Sequence, residues 1–87
     1  MFERVTCIVR SEAFPYADCR SIILLKTNQW RVYSPEQAHE KVKALSGSIV
    51  VVCEGQIVPL IPAEWEGKKY VRTMLNDTPD DYLLKVK

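Results

Sequence analysis

The chain of 87 residues has room for one domain, spanning 1–87, and is just long enough to build a core without disulfides or a metal. Its content of 47% hydrophobic and 26% charged residues is typical of a globular protein and excludes a disordered chain. Twelve basic and eleven acidic residues give a net charge of +1, which disfavours a duplex-DNA binder, because phosphate neutralisation supplies most of such a protein's affinity.

The start of the chain does not resemble a signal peptide, because Glu3 and Arg4 follow the first two residues before an apolar region develops. The longest apolar runs, at 22–25 and 49–53, are far shorter than a membrane span. Three widely spaced cysteines do not suggest a disulfide framework. We therefore expect a cytoplasmic protein with reduced thiols.

Two strands are predicted in the first third of the chain. Residues Glu3–Arg10 alternate between Val5, Cys7 and Val9 on one side and mainly polar residues on the other, which is typical of a half-buried strand. Residues 19–26 form the second strand, and the polar residues 27–29 form a turn after it. Trp30 is expected to cover the N-terminal end of the next element.

The following element is a helix with clear signals at both ends. Ser34 is a good N-cap, Pro35 suits the first helical position and Gln37 completes a capping box. Gly47 is expected to supply the left-handed conformation that ends the helix. The apolar stripe at helical spacing consists of Ala38, Val42 and Leu45. A helix of about three turns is unstable alone, so it must pack on a sheet.

Two Glu-Gly dipeptides, at 54–55 and 66–67, indicate hairpin turns. They predict three further strands at 48–53, 56–61 and 68–74. Pro59 cannot donate to a sheet ladder, so it marks either a bulge or a strand that pairs on one side only. A short closing segment is expected around Leu83 and Leu84.

These elements predict an α+β fold of the order ββαβββ, in which a five-stranded, mostly antiparallel curled sheet packs on one helix. A small open barrel is the alternative arrangement. In either case, one face of the sheet should remain in contact with water.

The chain also resembles a small bacterial family catalogued only as a domain of unknown function. The resemblance rests on Trp30-x-x-x-Ser34-x-Glu36-x-Ala38, on Gly67-x-Lys69-Tyr70-Val71-Arg72-Thr73 and on Leu83-Leu84, and it spans nearly the whole chain. It implies a small bacterial domain of mixed α and β content and transfers no catalytic residues. Pro59 and a long loop before the second strand depart from the family pattern.

The residues that could carry chemistry do not form a recognisable site. Three cysteines and His39 are suitable zinc ligands, but no two of them lie two to four residues apart, so we expect no metal and no cofactor. His39 is interpreted as a solvated residue on the helix surface. Asp80 is expected to cap a short C-terminal turn, with Asp77 and Asp81 solvated. We therefore expect no enzyme; a thiol enzyme built on Cys19 is the least favoured alternative.

The best candidate for a binding surface lies on the last predicted strand. Period two places Lys68, Tyr70 and Arg72 on one side, so these residues would form an outward row if Val71 points inward. Trp65, beside the hairpin turn, is expected to be partly exposed and would extend this surface. Such a row is typical of a protein-binding anchor, and it also suits stacking of a single-stranded base.

For function, these residues favour a small non-enzymatic binding or adaptor module that acts through contacts with a protein partner. A homodimer formed through a sheet edge is an equivalent possibility. One alternative is a single-stranded nucleic-acid-binding protein that uses the Lys68, Tyr70 and Arg72 row. Another is a phage or mobile-element inhibitor of a host protein.

Overall fold

The structure is a computed structural model that describes residues 2–15 and 17–86. Its strands and helix follow the order β1, β2, β3, α1, β4, β5, β6 and β7. Their bounds are Glu3–Arg10, Ile22–Thr27, Val32–Tyr33, Pro35–Ala44, Ile49–Cys53, Gln56–Pro59, Ile61–Trp65 and Lys68–Arg72. Two short 3₁₀ helices, Cys19–Ser21 and Tyr82–Lys85, precede β2 and close the described chain.

The α+β fold with a five-stranded, mostly antiparallel sheet and one helix is confirmed. The sheet has the order β3-β2-β1-β4-β5, and only the β1–β4 pair is parallel. The strands differ from the prediction at three places. Residues 19–21 of the expected second strand form a 3₁₀ helix, so β2 begins at Ile22. The short β3 had no strong sequence signal, and β6 with β7 forms a separate two-stranded hairpin instead of extending the sheet.

Pro59 explains why the predicted strand 56–61 divides in two. It is the last residue of β5, which lies at the edge of the sheet and pairs only with β4. A proline is tolerated there because its missing N–H faces no ladder partner. The next residue, Leu60, donates its N–H to the Ile49 carbonyl at 3.0 Å before β6 begins. Pro59 therefore marks a strand end.

Helix α1 begins as its sequence predicts. Ser34 Oγ accepts the Gln37 N–H at 3.1 Å, and Gln37 Oε1 accepts the Ser34 N–H at 2.9 Å, which completes the capping box. Ala38 and Val42 are buried in the core as expected. Leu45 was placed in the same stripe, but this is wrong: it follows the last helical residue and is 63% exposed. Because the helix ends at Ala44, Leu45 has an extended backbone, and the helical spacing that would place it beside Val42 no longer applies.

Helix α1 packs on the β6–β7 hairpin as well as on β2 and β3. The core between these layers consists of Val5, Cys19, Ile22, Leu25, Ala38, Val42, Ile49, Val51, Leu60, Ala63, Tyr70, Val71 and Leu83. Because α1 covers β7, His39 is buried, and its Nδ1 lies 3.1 Å from the Tyr70 carbonyl oxygen. The expectation that His39 is solvated is therefore wrong. Within the described residues, no helix has the length and apolar character needed to cross a membrane.

Candidate interaction surface

The alternation predicted for β7 is present, but the predicted outward row is not. Val71 points inward as assumed, yet Tyr70 is also only 1% exposed. The reason is that both sides of β7 are covered. Helix α1 packs on the Val71 side, and the chain after β7 folds back on the Tyr70 side, where Asp77 accepts the Tyr70 hydroxyl at 2.6 Å. Tyr70 therefore has no free ring face for a base or a partner.

The two cations of the predicted row are also engaged within the protein. Arg72 donates to Asp77 Oδ1 at 2.9 Å and to the Leu75 carbonyl at 3.0 Å. Lys68 Nζ donates to the Arg20 carbonyl at 3.1 Å and lies 5.3 Å from the centre of the Phe14 ring. Through these contacts, Lys68 holds Phe14 and Arg20 against β7. Arg72 holds the segment 75–77 against the same strand.

Trp65 is half-buried, in keeping with the partial exposure expected from its sequence position. The Arg20 guanidinium lies 4.7 Å from the centre of its ring, and the Phe14 ring meets it edge-on at 6.1 Å. A cation and an aromatic edge so placed each stabilise the packed ring. Trp65 therefore contributes to packing around β6 and does not extend an open surface.

Trp30 has the opposite environment to the one expected. It was predicted to cover the N-terminal end of the helix, but its side chain is 97% exposed. Its backbone has φ 61°, in the left-handed region that is costly for a residue with a large side chain. A large apolar residue that is both exposed and in a strained conformation contributes little to folding, which makes it a candidate for function.

The loop that carries Trp30 is held by a set of backbone hydrogen bonds. The Trp30 N–H is donated to the Thr27 carbonyl at 3.2 Å, and the Thr27 N–H to the Arg31 carbonyl at 3.0 Å. Asn28 joins this loop to β1, because its N–H is donated to the Arg4 carbonyl and its Oδ1 accepts the Arg4 N–H, both at 2.9 Å. The loop is thereby fixed from two strands, and Trp30 is presented in a defined place.

Glu3 supports the same loop from the core side of the sheet. Its buried carboxylate accepts hydrogen bonds from Tyr33 at 2.6 Å, Lys41 at 2.8 Å and Thr27 at 2.9 Å, and Arg31 lies 3.7 Å away. Burial acts to raise the pKa of this carboxyl, but the three hydrogen bonds outweigh burial and hold the pKa below its usual value. Glu3 is thus charged and ties β1, β2, β3 and α1 together beneath Trp30.

We call the side of the five-stranded sheet that carries Lys26 and Val52 the open face. Trp30 adjoins it, because Trp30 and Lys26 line one groove. Leu25 and Val51 point into the core, so strand alternation directs their neighbours Lys26 and Val52 to this open face. Lys26 pairs with Val32 across β2 and β3, and Val52 pairs with Ile57 across β4 and β5. Exposed aliphatic side chains recur on the open face: Val32, Val52 and Ile57.

Two shallow grooves adjoin the open face and share Thr6 of β1. The Trp30 groove has a volume of about 310 Å³ and is lined by Thr6, Lys26, Thr27, Trp30, Arg31 and Val32. The Val52 groove has a volume of about 470 Å³ and is lined by Arg4, Val5, Thr6, Val52, Lys85 and Val86. Because Thr6 of β1 borders both, the two grooves form a path across the sheet from β3 to β4.

The charges along this path have one sign. Four basic residues line the grooves, and among the described residues no acidic residue does: Arg4, Lys26, Arg31 and Lys85. This is a local excess in a chain whose net charge is only +1. Such a patch attracts an anionic partner and raises its rate of association.

A second polar cluster is formed by residues outside both grooves, and its geometry is that of a structural network. The Asp18 carboxylate accepts two hydrogen bonds from the Arg20 guanidinium, and Asp77 joins Arg20 to Arg72. Cys19 is buried next to this cluster, and burial raises the pKa of its thiol, with Asp81 acting in the same direction. A catalytic thiol needs the opposite shift, so the structure does not favour Cys19 as a nucleophile.

The remaining candidate ligands are dispersed. The described residues contain no group of three or more His, Cys, Asp and Glu side chains that could hold a metal ion. Asp81 is fully buried and caps the 3₁₀ helix Tyr82–Lys85, where it accepts the Leu83 N–H at 2.9 Å. The predictions that Asp80 is the cap and that Asp81 is solvated are therefore wrong. Asp77 was also expected to be solvated, but it is half-buried and accepts hydrogen bonds from Tyr70 and Arg72.

Comparison with known proteins adds no relative. No protein-family model matches the chain, and neither a curated protein nor a solved structure does. The resemblance to a family of unknown function stays a prediction.

The residues that sequence reasoning missed are Lys26, Trp30, Arg31 and Val32. Had Val32 and Tyr33 been identified as a returning strand, the polar residues 27–29 would have become a hairpin loop, with Trp30 beside it on the surface. The signal was weak because β3 has only two residues.

Proposed function

We propose that the chain is a small non-enzymatic binding module of the cytoplasm that holds a protein partner on its open face. The observation that carries this proposal is the nearly complete exposure of Trp30 in a left-handed backbone conformation. Tryptophan is over-represented among the residues that dominate protein interfaces, because it buries a large area on binding.

The surroundings of Trp30 support the same conclusion. Val32, Val52 and Ile57 expose aliphatic side chains on one side of one sheet, where a globular protein normally places polar residues. The hydrogen bonds of Asn28 and Glu3 hold the loop in place before a partner arrives. A preorganised anchor loses less conformational entropy on binding, which increases affinity.

The test is capture of partners with the wild-type protein and with two matched variants. Trp30→Gly removes the anchor, and glycine readily adopts the left-handed backbone conformation of this position. Leu75→Ser is the control, because it removes an apolar side chain that is 89% exposed and lies outside both grooves. Proteins retained by wild type and by Leu75→Ser but lost by Trp30→Gly are the expected result. If Trp30→Gly retains the same proteins as wild type, the open face is not the binding surface.

A second copy of the chain is an alternative occupant, because β3 and β5 lie at the two edges of the sheet. Sedimentation velocity over a range of concentrations distinguishes this case. A dimer that dissociates in Val32→Asp, a change on β3, would identify the partner as the chain itself.

A single-stranded nucleic acid is the second candidate function, and one observation favours it. Trp30 lines the same groove as Lys26 and Arg31, so a base could stack on the indole while phosphates meet the cations. This arrangement replaces the Lys68, Tyr70 and Arg72 row, whose tyrosine is buried. The aliphatic side chains of the open face, which contribute little to nucleic-acid binding, favour the protein partner.

A mobility shift with oligothymidine, lost at higher salt and in Trp30→Gly, would support the nucleic acid.

A further inference from the structure

The chemistry of the open face restricts which protein segment fits it, and this inference rests on the proposed function. Within the described chain, the two grooves carry four cations and no carboxylate. A partner segment with basic residues would meet like charges along the lining of both grooves, which disfavours its binding. Charge complementarity therefore favours a partner segment whose contact residues include acidic side chains.

The cations are divided between the two grooves. Lys26 and Arg31 line the Trp30 groove, and Arg4 and Lys85 line the Val52 groove. From β3 to β4 the path crosses β2 and β1, which amounts to three strand spacings, or about 14 Å. An extended peptide covers about 3.3 Å per residue, so roughly five residues reach from one groove to the other.

The apolar groups are also placed at both ends of the path. Trp30 and Val32 line one groove, and Val52 and Val86 line the other. An apolar side chain seated against Trp30 removes indole surface from water, which favours binding. The aliphatic groups at the other end can receive a second apolar side chain of the same segment.

We propose that the open face binds an acidic peptide segment of the partner that carries apolar anchor residues. The segment crosses the sheet from β3 to β4, with one apolar side chain against Trp30 and Val32. Its carboxylates pair with Lys26 and Arg31 at one end and with Arg4 and Lys85 at the other. The segment is a short linear motif, and a partner can present it on a loop or a disordered tail.

The experiment selects ligands from a displayed library of random peptides about twelve residues long, a length that exceeds the path across the sheet. The immobilised targets are the wild-type protein and Trp30→Gly. The expected result is enrichment, on wild type only, of peptides that combine Asp or Glu with a large apolar residue. Enrichment of basic or neutral peptides, or no enrichment at all, would overturn the proposal.

Charge reversal then tests the pairing with the most enriched peptide. Lys26→Glu is expected to weaken its binding by roughly tenfold or more, as measured by fluorescence anisotropy. The matched control is Lys43→Glu, which makes the same change in net charge at an exposed position on α1 and should alter affinity by less than about twofold. Equal losses in both variants would mean that total charge, not the groove, governs binding.

The result also separates this inference from the proposed function. If partners are lost from Trp30→Gly in the capture experiment while selection gives peptides without acidic residues, the open face binds protein but the acidic motif is wrong. If oligothymidine displaces the selected peptide at equal concentration, the grooves favour phosphates and the protein segment is overturned.

Discussion

The Tyr70 hydroxyl donates a hydrogen bond of 2.6 Å to Asp77, and this contact turns the strand face expected to bind a partner into part of the interior. Asp77 lies in the chain that folds back after β7 and also accepts a hydrogen bond from Arg72 at 2.9 Å. Tyr70 and Arg72 are neighbours on one side of a strand, as period two requires, but both point at the same carboxylate.

Tyr70→Phe tests the contribution of this hydrogen bond to stability. The change removes a bond to a charged acceptor, and Asp77 keeps Arg72 as a partner, so we expect the free energy of unfolding to fall by about 1 to 2 kcal/mol. Urea denaturation measures the change. Repeating it in an Asp77→Ala background supplies the control, since an equal loss there would show that Asp77 is not the partner that matters.

The same tyrosine predicts a loss of stability at high pH. Burial, with the hydrogen bond to Asp77 adding to it, raises the pKa of Tyr70 to about 12, whereas a tyrosine in the unfolded chain has a pKa of about 10. Between these two pKa values, the Tyr70 hydroxyl therefore stays protonated in the folded state and ionises in the unfolded state. The contribution of the protonated Tyr70 to stability is complete below pH about 10 and is lost as the pH rises toward about 12. The total loss in unfolding free energy is on the order of 2 to 3 kcal/mol.

The measurement is the difference in unfolding free energy between wild type and Tyr70→Phe as a function of pH. Taking this difference cancels the titration of lysines, which both proteins share. A difference that stays constant from pH about 9 to 11.5 would show that Tyr70 ionises equally in the folded and unfolded states.

Glu3→Gln tests the carboxylate beneath the Trp30 loop. The neutral amide cannot replace the charged acceptor of Lys41, Tyr33 and Thr27, so the unfolding free energy should fall by about 2 to 4 kcal/mol at neutral pH. Because the pKa of Glu3 is lowered in the folded state, its contribution is present above pH about 4.5 and is lost as the pH falls through the folded pKa.

Glu54→Gln is the matched control for this change, since Glu54 is exposed in the β4–β5 turn and should change stability by less than about 0.5 kcal/mol. Thermal unfolding at pH 7 and at pH about 3 measures both variants. If Glu3→Gln and wild type differ as much at the acidic pH as at the neutral one, the charge of Glu3 does not stabilise the fold.

The two tryptophans should respond to mutation with opposite signs. Trp30→Gly places the residue best suited to φ 61° at a position where the indole is exposed, so we expect unfolding free energy to rise by up to about 1 kcal/mol. Trp65→Leu removes a ring that packs against Arg20 and Phe14, so we expect a loss of about 1 to 3 kcal/mol.

Urea denaturation followed by circular dichroism compares the two variants without relying on tryptophan fluorescence. A large destabilisation by Trp30→Gly would mean that the indole contributes to the fold, which would weaken its assignment as a binding anchor.

Asp81→Asn should be the most damaging of these changes, because Asp81 is fully buried. Its carboxylate accepts the N–H groups of Thr73, Met74 and Leu83, with Thr73 Oγ1 as a further donor. An amide nitrogen would face one of these donors, so we expect a loss of about 3 kcal/mol or more. The exposed neighbour Asp80→Asn should change stability by less than about 0.5 kcal/mol, and similar losses in both variants would contradict the assignment of the cap.

Local signals in the sequence were sufficient for helix α1 and for the two Glu-Gly turns. Glu54 and Gly55 both have positive φ, as do Glu66 and Gly67, which is the geometry of tight hairpin turns. The serine cap and the turn conformations depend on residues a few positions apart, so they can be predicted from a short stretch of sequence. The bounds of strand β1 were predicted correctly, but its alternation was correct only up to Val5. A register shift between Val5 and Cys7 places Ile8 against the core and leaves Val9 40% exposed, which is the reverse of the predicted sides.

The candidate site depended on contacts between separate structural elements, which the pattern within one strand or one helix does not show. Tyr70 alternates like an exposed strand residue, and only the return of residues 73–81 over β7 makes it buried. His39 is polar and lies on a helix, and only the position of β7 against α1 encloses it.

The amino-acid order alone determined where the helix begins, where the hairpins turn and that the fold is α+β, since these follow from hydrogen bonds and backbone preferences within a few residues. Tertiary structure alone decided that Tyr70 is buried and Trp30 exposed. Burial depends on which segments fold over a side chain: Asp77 covers Tyr70 from seven residues further along the chain, and β7 covers His39 from 31 residues away.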